Sequence, residues 1–316
     1  MNPRWPVFIP SKGRWTQPLT ARAFDQLGIP YSIVVQPRQE AEYRSANLKG
    51  EMLLLPDGLD GLVPTRNWIW DRAAEMGVER FWTFDDNIRG LWRLHDNRKI
   101  SVGDGTPLRI LEDWAERWDN LAIAGMNYYM FAPRKAKVPG LNLNTRVYSN
   151  MLILTDARDS FGKPYRNEGV YNDDTDLCLR VLKDGWCTAL FNAFLVWKTT
   201  TMLIKGGMTP QYQGDGRLKM ATELWAKHPD VTRITRRWDR WQHYVDYSKF
   251  AGNRLRLREG VELPTGTNEY GLELLTREKR TPVRTQTAER RTGLTVKQAG
   301  PPEKPRRRIN QMDLYG

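Results

Sequence analysis

The chain has 316 residues, 40% of them hydrophobic and 11% aromatic, enough apolar material for one large α/β domain, alone or with a small appendage. No apolar run approaches the ~18 residues of a membrane span, the opening MNPRWPVFIP has no signal-peptide core, and Cys178 and Cys187 make neither a disulfide framework nor a metal-ligand spacing. A soluble, cytoplasmic protein with no membrane partner is therefore expected.

The first half alternates strand and helix. Val7–Pro10 is a short apolar strand running into Ser11-Lys12-Gly13-Arg14, and residues 18–27 have helical periodicity closed by Gly28. Residues 31–35 form a second strand, 40–46 a short helix, and 52–55 a third strand stopped by Pro56-Asp57-Gly58. A helix over 65–76, N-capped by Thr65 and ended at Gly77, precedes the strand Arg80–Phe84. Strands joined by helical crossovers predict a mostly parallel, buried sheet, with ligands beyond the carboxyl ends of its strands.

Farther on, helices are expected at 108–120, 174–183, 222–228 and 236–250, and strands at 122–126 and 148–154, with one or two more within 187–197. Residues 134–144 read as a loop. Most of the thirteen tryptophans are expected in or against the core, with stacking on sugars or bases as the alternative use. Formal charge is +12, and residues 276–316 carry +7 of it, from eleven Lys/Arg against four Asp/Glu. That aperiodic tail is expected to be disordered until bound. It implies a polyanionic partner, nucleic acid in preference to an anionic membrane surface, unless it serves solubility alone.

Three short segments carry chemistry. Asp85-Asp86-Asn87 follows a strand directly; it is either a solvated acidic turn or a set of oxygen ligands for Mg²⁺ or Mn²⁺, which bind through one or two carboxylates plus substrate phosphates. Asn172-Asp173-Asp174-Thr175-Asp176 opens a helix. Acids there suit the macrodipole and Asp174 can act as an N-cap, but a carboxylate aimed from a helix start into a cleft also suits a general base. Two such clusters, 88 residues apart, favour the functional reading. The opening IPSKGR ends a strand in small and basic residues able to hold a base, ribose or phosphate.

Together, Pro-Ser-x-Gly-Arg after the first strand, Arg66-Asn67 in a helix, the acidic triplet, and a later Asp-Asp-x-Asp-Leu-x-Leu-Arg followed by Gly185-Trp186 resemble a GT-A glycosyltransferase across roughly residues 5–210. The resemblance implies a Rossmann-like α/β fold with a mostly parallel central sheet flanked by helices. It implies that Asp85, Asp86 and Asn87 hold the metal and the ribose of a sugar nucleotide, with Asn87 where an acidic ligand is usual. In inverting members it implies that Asp173-Asp174 supply the base, Asp174 first; in a retaining enzyme the same acids orient the substrates. Pro10, Ser11, Arg14 and Arg66 then join Asp85 and Asp86 around the donor, a UDP-sugar. None of His95, His228 and His243 offers itself as a further metal ligand.

More narrowly, IPSKGR, TFDDNI, YNDDTDLCLRVLKDGW and Trp197-Lys198-Thr199-Thr200-Thr201 with Gly206-Gly207 are similar to the TET-associated glycosyltransferases of bacteriophages. That similarity implies sugar transfer onto 5-hydroxymethylcytosine in phage DNA, in the cytoplasm of an infected host. On the acceptor side, residues 233–258 hold eight Arg/Lys against two acids, interleaved with Trp238, Trp241, Tyr244, Tyr247 and Phe250. Basic residues give sequence-independent affinity for DNA and aromatics stack on exposed bases. Trp238, Trp241 and Val245 instead fall at helical spacing and are assigned to packing, leaving Arg236, Arg237 and Arg240, with Asp176 and Lys198, as acceptor contacts; Lys198 and the threonines after it are alternatively diphosphate contacts or ordinary strand residues.

The expected organisation is a GT-A core at 1–210, a helical, basic extension at 211–275 and the tail at 276–316. The rival readings are a GT-A enzyme with a protein, polysaccharide or small-molecule acceptor, a two-metal nuclease or nucleotidyltransferase, and a non-catalytic DNA-binding protein.

Overall fold

The computed structural model describes residues 1–95, 98–132, 139–157, 165, 172–199 and 215–263. The tail expected at 276–316, and Thr200, Thr201, Gly206 and Gly207, lie outside them. Residues Met1–Val261 form one compact unit.

The strands are β1 Val7–Pro10, β2 Ser32–Val35, β3 Glu51–Leu54, β4 Arg80–Phe84, β5 Ile88–His95, β6 Arg98–Ser101, β7 Leu121–Tyr128, β8 Leu141–Leu143, β9 Asn150–Leu154 and β10 Cys187–Lys198. They make one ten-stranded sheet in the order β3-β2-β1-β4-β9-β7-β10-β5-β6, with β8 also on β10. Where strands alternate with helices the pairing is parallel: β1 with β2, β2 with β3, β1 with β4, and again β7 with β10. Strands β5, β8 and β9 run against the rest, so most strands share one direction.

The helices are α1 Leu19–Leu27, α2 Glu40–Ser45, α3 Leu62–Glu75, α4 Thr106–Ala115, α5 Asp173–Lys183 and α6 Gly216–Lys227. Alternation along β4 covers both sheet faces. Phe81 meets Trp70 of α3 at a ring separation of 5.6 Å. On the opposite face Phe84 meets Phe24 of α1 at 5.0 Å, and Trp82 Nε1 donates to Glu112 of α4 at 2.8 Å. The α3 face continues through Ile69, Met151, Ile153, Leu177 and Val181, all buried. The other side of α5 buries Leu179 and Leu182 against Leu224, Val231 and Phe250, so the described part of the extension shares a core with the sheet domain.

The expected helix at 236–250 is instead a β-hairpin, β11 Thr232–Arg237 and β12 Arg240–Val245, followed by a 3-10 turn at Tyr247–Phe250. Trp238 and Asp239 both take left-handed φ, 50° and 57°, and reverse the chain. The helical spacing of Trp238, Trp241 and Val245 was coincidental: Trp238 and Trp241 are 59% and 42% exposed. Helix α3 begins earlier than expected because Pro64 is tolerated in a first turn; Thr65 is therefore not its N-cap, and its hydroxyl donates back to Gly61 O at 2.7 Å. Residues 187–198 are one strand whose register shifts accommodate both neighbours, and the β5–β6 hairpin was not foreseen. Both cysteines are buried and free, and no helix among the described residues is long and apolar enough to cross a membrane.

Candidate active site

Four chain segments meet at one sheet edge. Asp85 follows the last residue of β4, and its backbone N–H donates to Ser149 O at 2.8 Å, just before the antiparallel β9. Lys198 ends β10, where the register sets it opposite Ile88. The N-terminus of α5 brings Asp173 and Asp174, and α3 contributes Arg66 from the buried face of a helix, where Arg66 is only 4% exposed.

Asp85 is gripped from both sides. Arg66 Nη2 donates to its Oδ1 at 2.8 Å and Lys198 Nζ to its Oδ2 at 2.7 Å. The other amino group of Arg66 pairs with Asp173, so the guanidinium joins the two acidic clusters. Lys198 Nζ also donates to Ser149 Oγ at 2.7 Å and to Tyr128 OH at 3.2 Å. Asp86 faces a separate set: its carboxylate pairs with Arg14 and accepts from Ser11 Oγ at 2.9 Å, while Ser11 Oγ lies 2.6 Å from Tyr43 OH.

These surroundings push neighbouring carboxyls apart. Burial raises Asp85, but Lys198 and Arg66 outweigh it and hold it well below the usual carboxylate range. Burial disfavours the Lys198 ammonium, and Asp85 reverses that balance and raises it. Asp86 is raised by burial in spite of Arg14. Asp173 is raised by burial too, against the pull of Arg66 and with Asp174 and Asp85 adding to the rise. Divergent carboxyls in one cleft are what acid–base chemistry uses.

The structure thus gathers Arg66, Asp85, Asp173 and Lys198 into connected ion pairs, and Ser11, Arg14 and Asp86 into a second bonded set, with Asp174 next to Asp173 in sequence. Lys198, expected toward the acceptor, is bonded to the donor-side Asp85. Asp174 is not the N-cap of α5; Asn172 is, with φ 55°, and Asp174 Oδ1 accepts from Thr175 N at 2.6 Å. Pro10 is buried at the end of β1.

Asp176, expected as an acceptor contact, faces the interior. It is 3% exposed, one carboxylate oxygen lies 2.9 Å from His228 Nε2 and the other 3.9 Å from Arg180, so it ties α5 to the end of α6. Arg236, Arg237 and Arg240 stand exposed at the turn end of the hairpin and not on a helix.

Sequence reasoning missed Tyr43, Tyr128, Ser149 and Arg146, single polar residues in stretches with no motif, and weighed His243 only as a metal ligand. Arg146 lies 4.4 Å from the Tyr148 ring. Burial disfavours its charge, but the influence of Tyr247 and Asp174 outweighs this and raises it. His243 on β12 is driven down to about 4 by burial and by Arg146, with Asp174 opposing. The hairpin and its 3-10 turn therefore flank Asp174 electrostatically.

As placed, these residues do not fit a divalent ion. Both oxygens of Asp85 and both of Asp86 already accept from cations or a hydroxyl. Asn87 Oδ1 is buried and accepts no hydrogen bond, but it is a single neutral oxygen. Among the described residues no group of three His, Cys, Asp or Glu side chains can hold a metal. The arrangement can bind an anion between fixed cations and place a carboxylate beside it.

A family model described as TET-Associated Glycosyltransferase matches residues 5–207. No curated protein matches the chain. Among solved structures, Staphylococcus aureus TarS 1–349 aligns at 11% identity and a TM-score of 0.41, over 70% of this chain and 65% of that one. A longer S. aureus TarS chain aligns at 14% and 0.36, over 70% and 39%. A proposed nucleotide-diphospho-sugar transferase from Desulfovibrio desulfuricans G20 aligns at 10% and 0.37, over 60% and 80%. This chain spans less than two thirds of the TarS chains it matches.

Proposed function

The chain belongs to the TET-associated glycosyltransferase family, and from that premise we propose that it moves a sugar from a UDP-sugar to the hydroxymethyl group of 5-hydroxymethylcytosine in phage DNA, in the cytoplasm of the host. One observation carries the reading. Arg66 touches both Asp85 and Asp173, so the triplet assigned to the donor and the pair assigned to the base adjoin at the carboxyl edge of the sheet.

In this reading Ser11, Arg14 and Asp86 form the wall that receives the nucleoside, with Arg66 nearer the diphosphate. Asp173 is occupied by Arg66 and holds it; Asp174 is the base. The acceptor hydroxyl gives its proton to the Asp174 carboxylate while its oxygen bonds to the anomeric carbon. The bond from that carbon to the diphosphate oxygen breaks, and UDP leaves with the electron pair. Attack from the face opposite the leaving group inverts the anomeric centre. No step is routed through a metal.

The acceptor side is the β11–β12 hairpin. Arg236, Arg237 and Arg240 crowd its turn, Arg236 lies 5.8 Å from the Trp241 ring and Arg233 4.3 Å from that of Tyr244. Exposed indoles between arginines suit a strand of nucleic acid, with phosphates on the guanidinium groups and a base on the ring. The basic tail supplies further phosphate contacts.

The test is mass spectrometry of nucleosides from DNA containing 5-hydroxymethylcytosine after incubation with the protein and a panel of UDP-sugars, with Mn²⁺ and with EDTA. A hexose- or N-acetylhexosamine-sized gain on that nucleoside, lost in Asp174→Asn, is the expected result. No gain with any donor, while the DNA stays bound, moves the acceptor elsewhere.

A further inference from the structure

We infer that the ammonium of Lys198, held by Asp85, takes the place of a divalent cation against the donor's diphosphate, so that the protein binds its nucleotide donor without a metal. This rests on the transferase reading above.

The observation is a lysine in the grip of the acidic triplet. Lys198 Nζ is 2.7 Å from Asp85 Oδ2, and the opposite oxygen of Asp85 accepts from Arg66 at 2.8 Å. A metal at Asp85 would have to displace one of these cations or sit against both, and like charges a few ångströms apart in a half-buried site repel strongly. Asp86 offers no better foothold, because Arg14 and Ser11 take its two oxygens.

Lys198 is also arranged to accept a new anionic partner. Its side chain is 16% exposed, and beyond Asp85 its hydrogens go to two neutral hydroxyls, Ser149 and Tyr128. A phosphate oxygen can replace a hydroxyl, because both partners of the new bond are ionised where only the ammonium was before. Asp85 then orients the ammonium in the way a metal-binding carboxylate orients its ion. Position in the fold agrees: β10 delivers Lys198 to the same sheet edge as the triplet, beside the orienting Arg66. When the bond from sugar to diphosphate breaks, Lys198 and Arg66 face the charge that develops on the departing oxygen, and being fixed beforehand they need no reorganisation.

The test is calorimetric titration of UDP into the full-length protein in EDTA and again in Mn²⁺. Similar affinities in the two buffers are expected, with Lys198→Ala weakening both by about 10- to 100-fold, the loss of one bond between charged groups. Circular dichroism checks that the variant folds, and the comparison of buffers on the unaltered protein needs no variant. Affinity lost in EDTA and restored by Mn²⁺ overturns the inference and leaves the transferase reading intact. No UDP binding in either buffer overturns both.

Discussion

Arg66 Nη2 lies 2.8 Å from Oδ1 of Asp85, across 19 residues of sequence and from a helix to the end of a strand. The same guanidinium pairs with Asp173, so its loss strands two carboxylates in a half-buried cleft. Arg66→Ala is expected to cost about 3 kcal/mol of stability, since removing one partner of a buried pair leaves the other charge uncompensated. Urea unfolding midpoints measure it, and Arg66→Lys, keeping one charge but not the fork, falls between.

Asp174→Asn separates chemistry from binding. If Asp174 takes the acceptor proton, its amide lowers turnover by about 10²- to 10⁴-fold and leaves UDP affinity unchanged. Single-turnover transfer together with calorimetry checks both. Equal losses in turnover and UDP affinity would show that Asp174 holds the donor instead.

His243 makes the fold sensitive to mild acid. Its folded value lies near 4 against an ordinary 6.5, so the unfolded chain binds the proton more readily. Its contribution is therefore complete above about pH 6.5 and is lost as the pH falls from there toward 4. Thermal melts from pH 7.5 to 4.5 are expected to slope less in His243→Gln than in the unaltered protein.

The hairpin turn trades stability for exposure. Trp238 and Asp239 occupy left-handed positions that Asn and Gly fill more easily. The double change Trp238→Asn with Asp239→Gly is expected to raise stability by about 0.5–1 kcal/mol and to weaken DNA binding. Fluorescence anisotropy across a salt series, beside melting curves, reads the two effects independently.

Asp176 gives a contrasting case. Its bond to buried His228 is structural, so Asp176→Ala is expected to destabilise by about 1–3 kcal/mol, while the folded fraction keeps its UDP and DNA affinities. A loss of DNA affinity at full folding would return Asp176 to the acceptor side.

Where local chemistry decided the outcome, the sequence was sufficient. Val7–Pro10 and Arg80–Phe84 are short apolar runs between turn signals and form as read, and Gly28, with φ 64°, ends α1 as its lack of a Cβ allows. Regular alternation of strands and helices pointed to the parallel half of the sheet, and the two acidic segments lie together at one edge of it. The 236–250 segment failed because three apolar residues at helical spacing outweighed, on paper, a two-residue reversal that only left-handed φ angles create.

Partnership belonged to the tertiary structure. Asp173, Asp174 and Asp176 lie within four residues and look alike in sequence, yet α5 turns one onto Arg66, places one beside the cleft and buries the third against His228. Lys198 was expected toward the acceptor until β10 set it on Asp85. Sequence specifies which groups are present and where the chain can bend. Which charges end up a hydrogen bond apart depends on packing between segments 19 to 113 residues distant, and that pairing decides what each carboxylate can do.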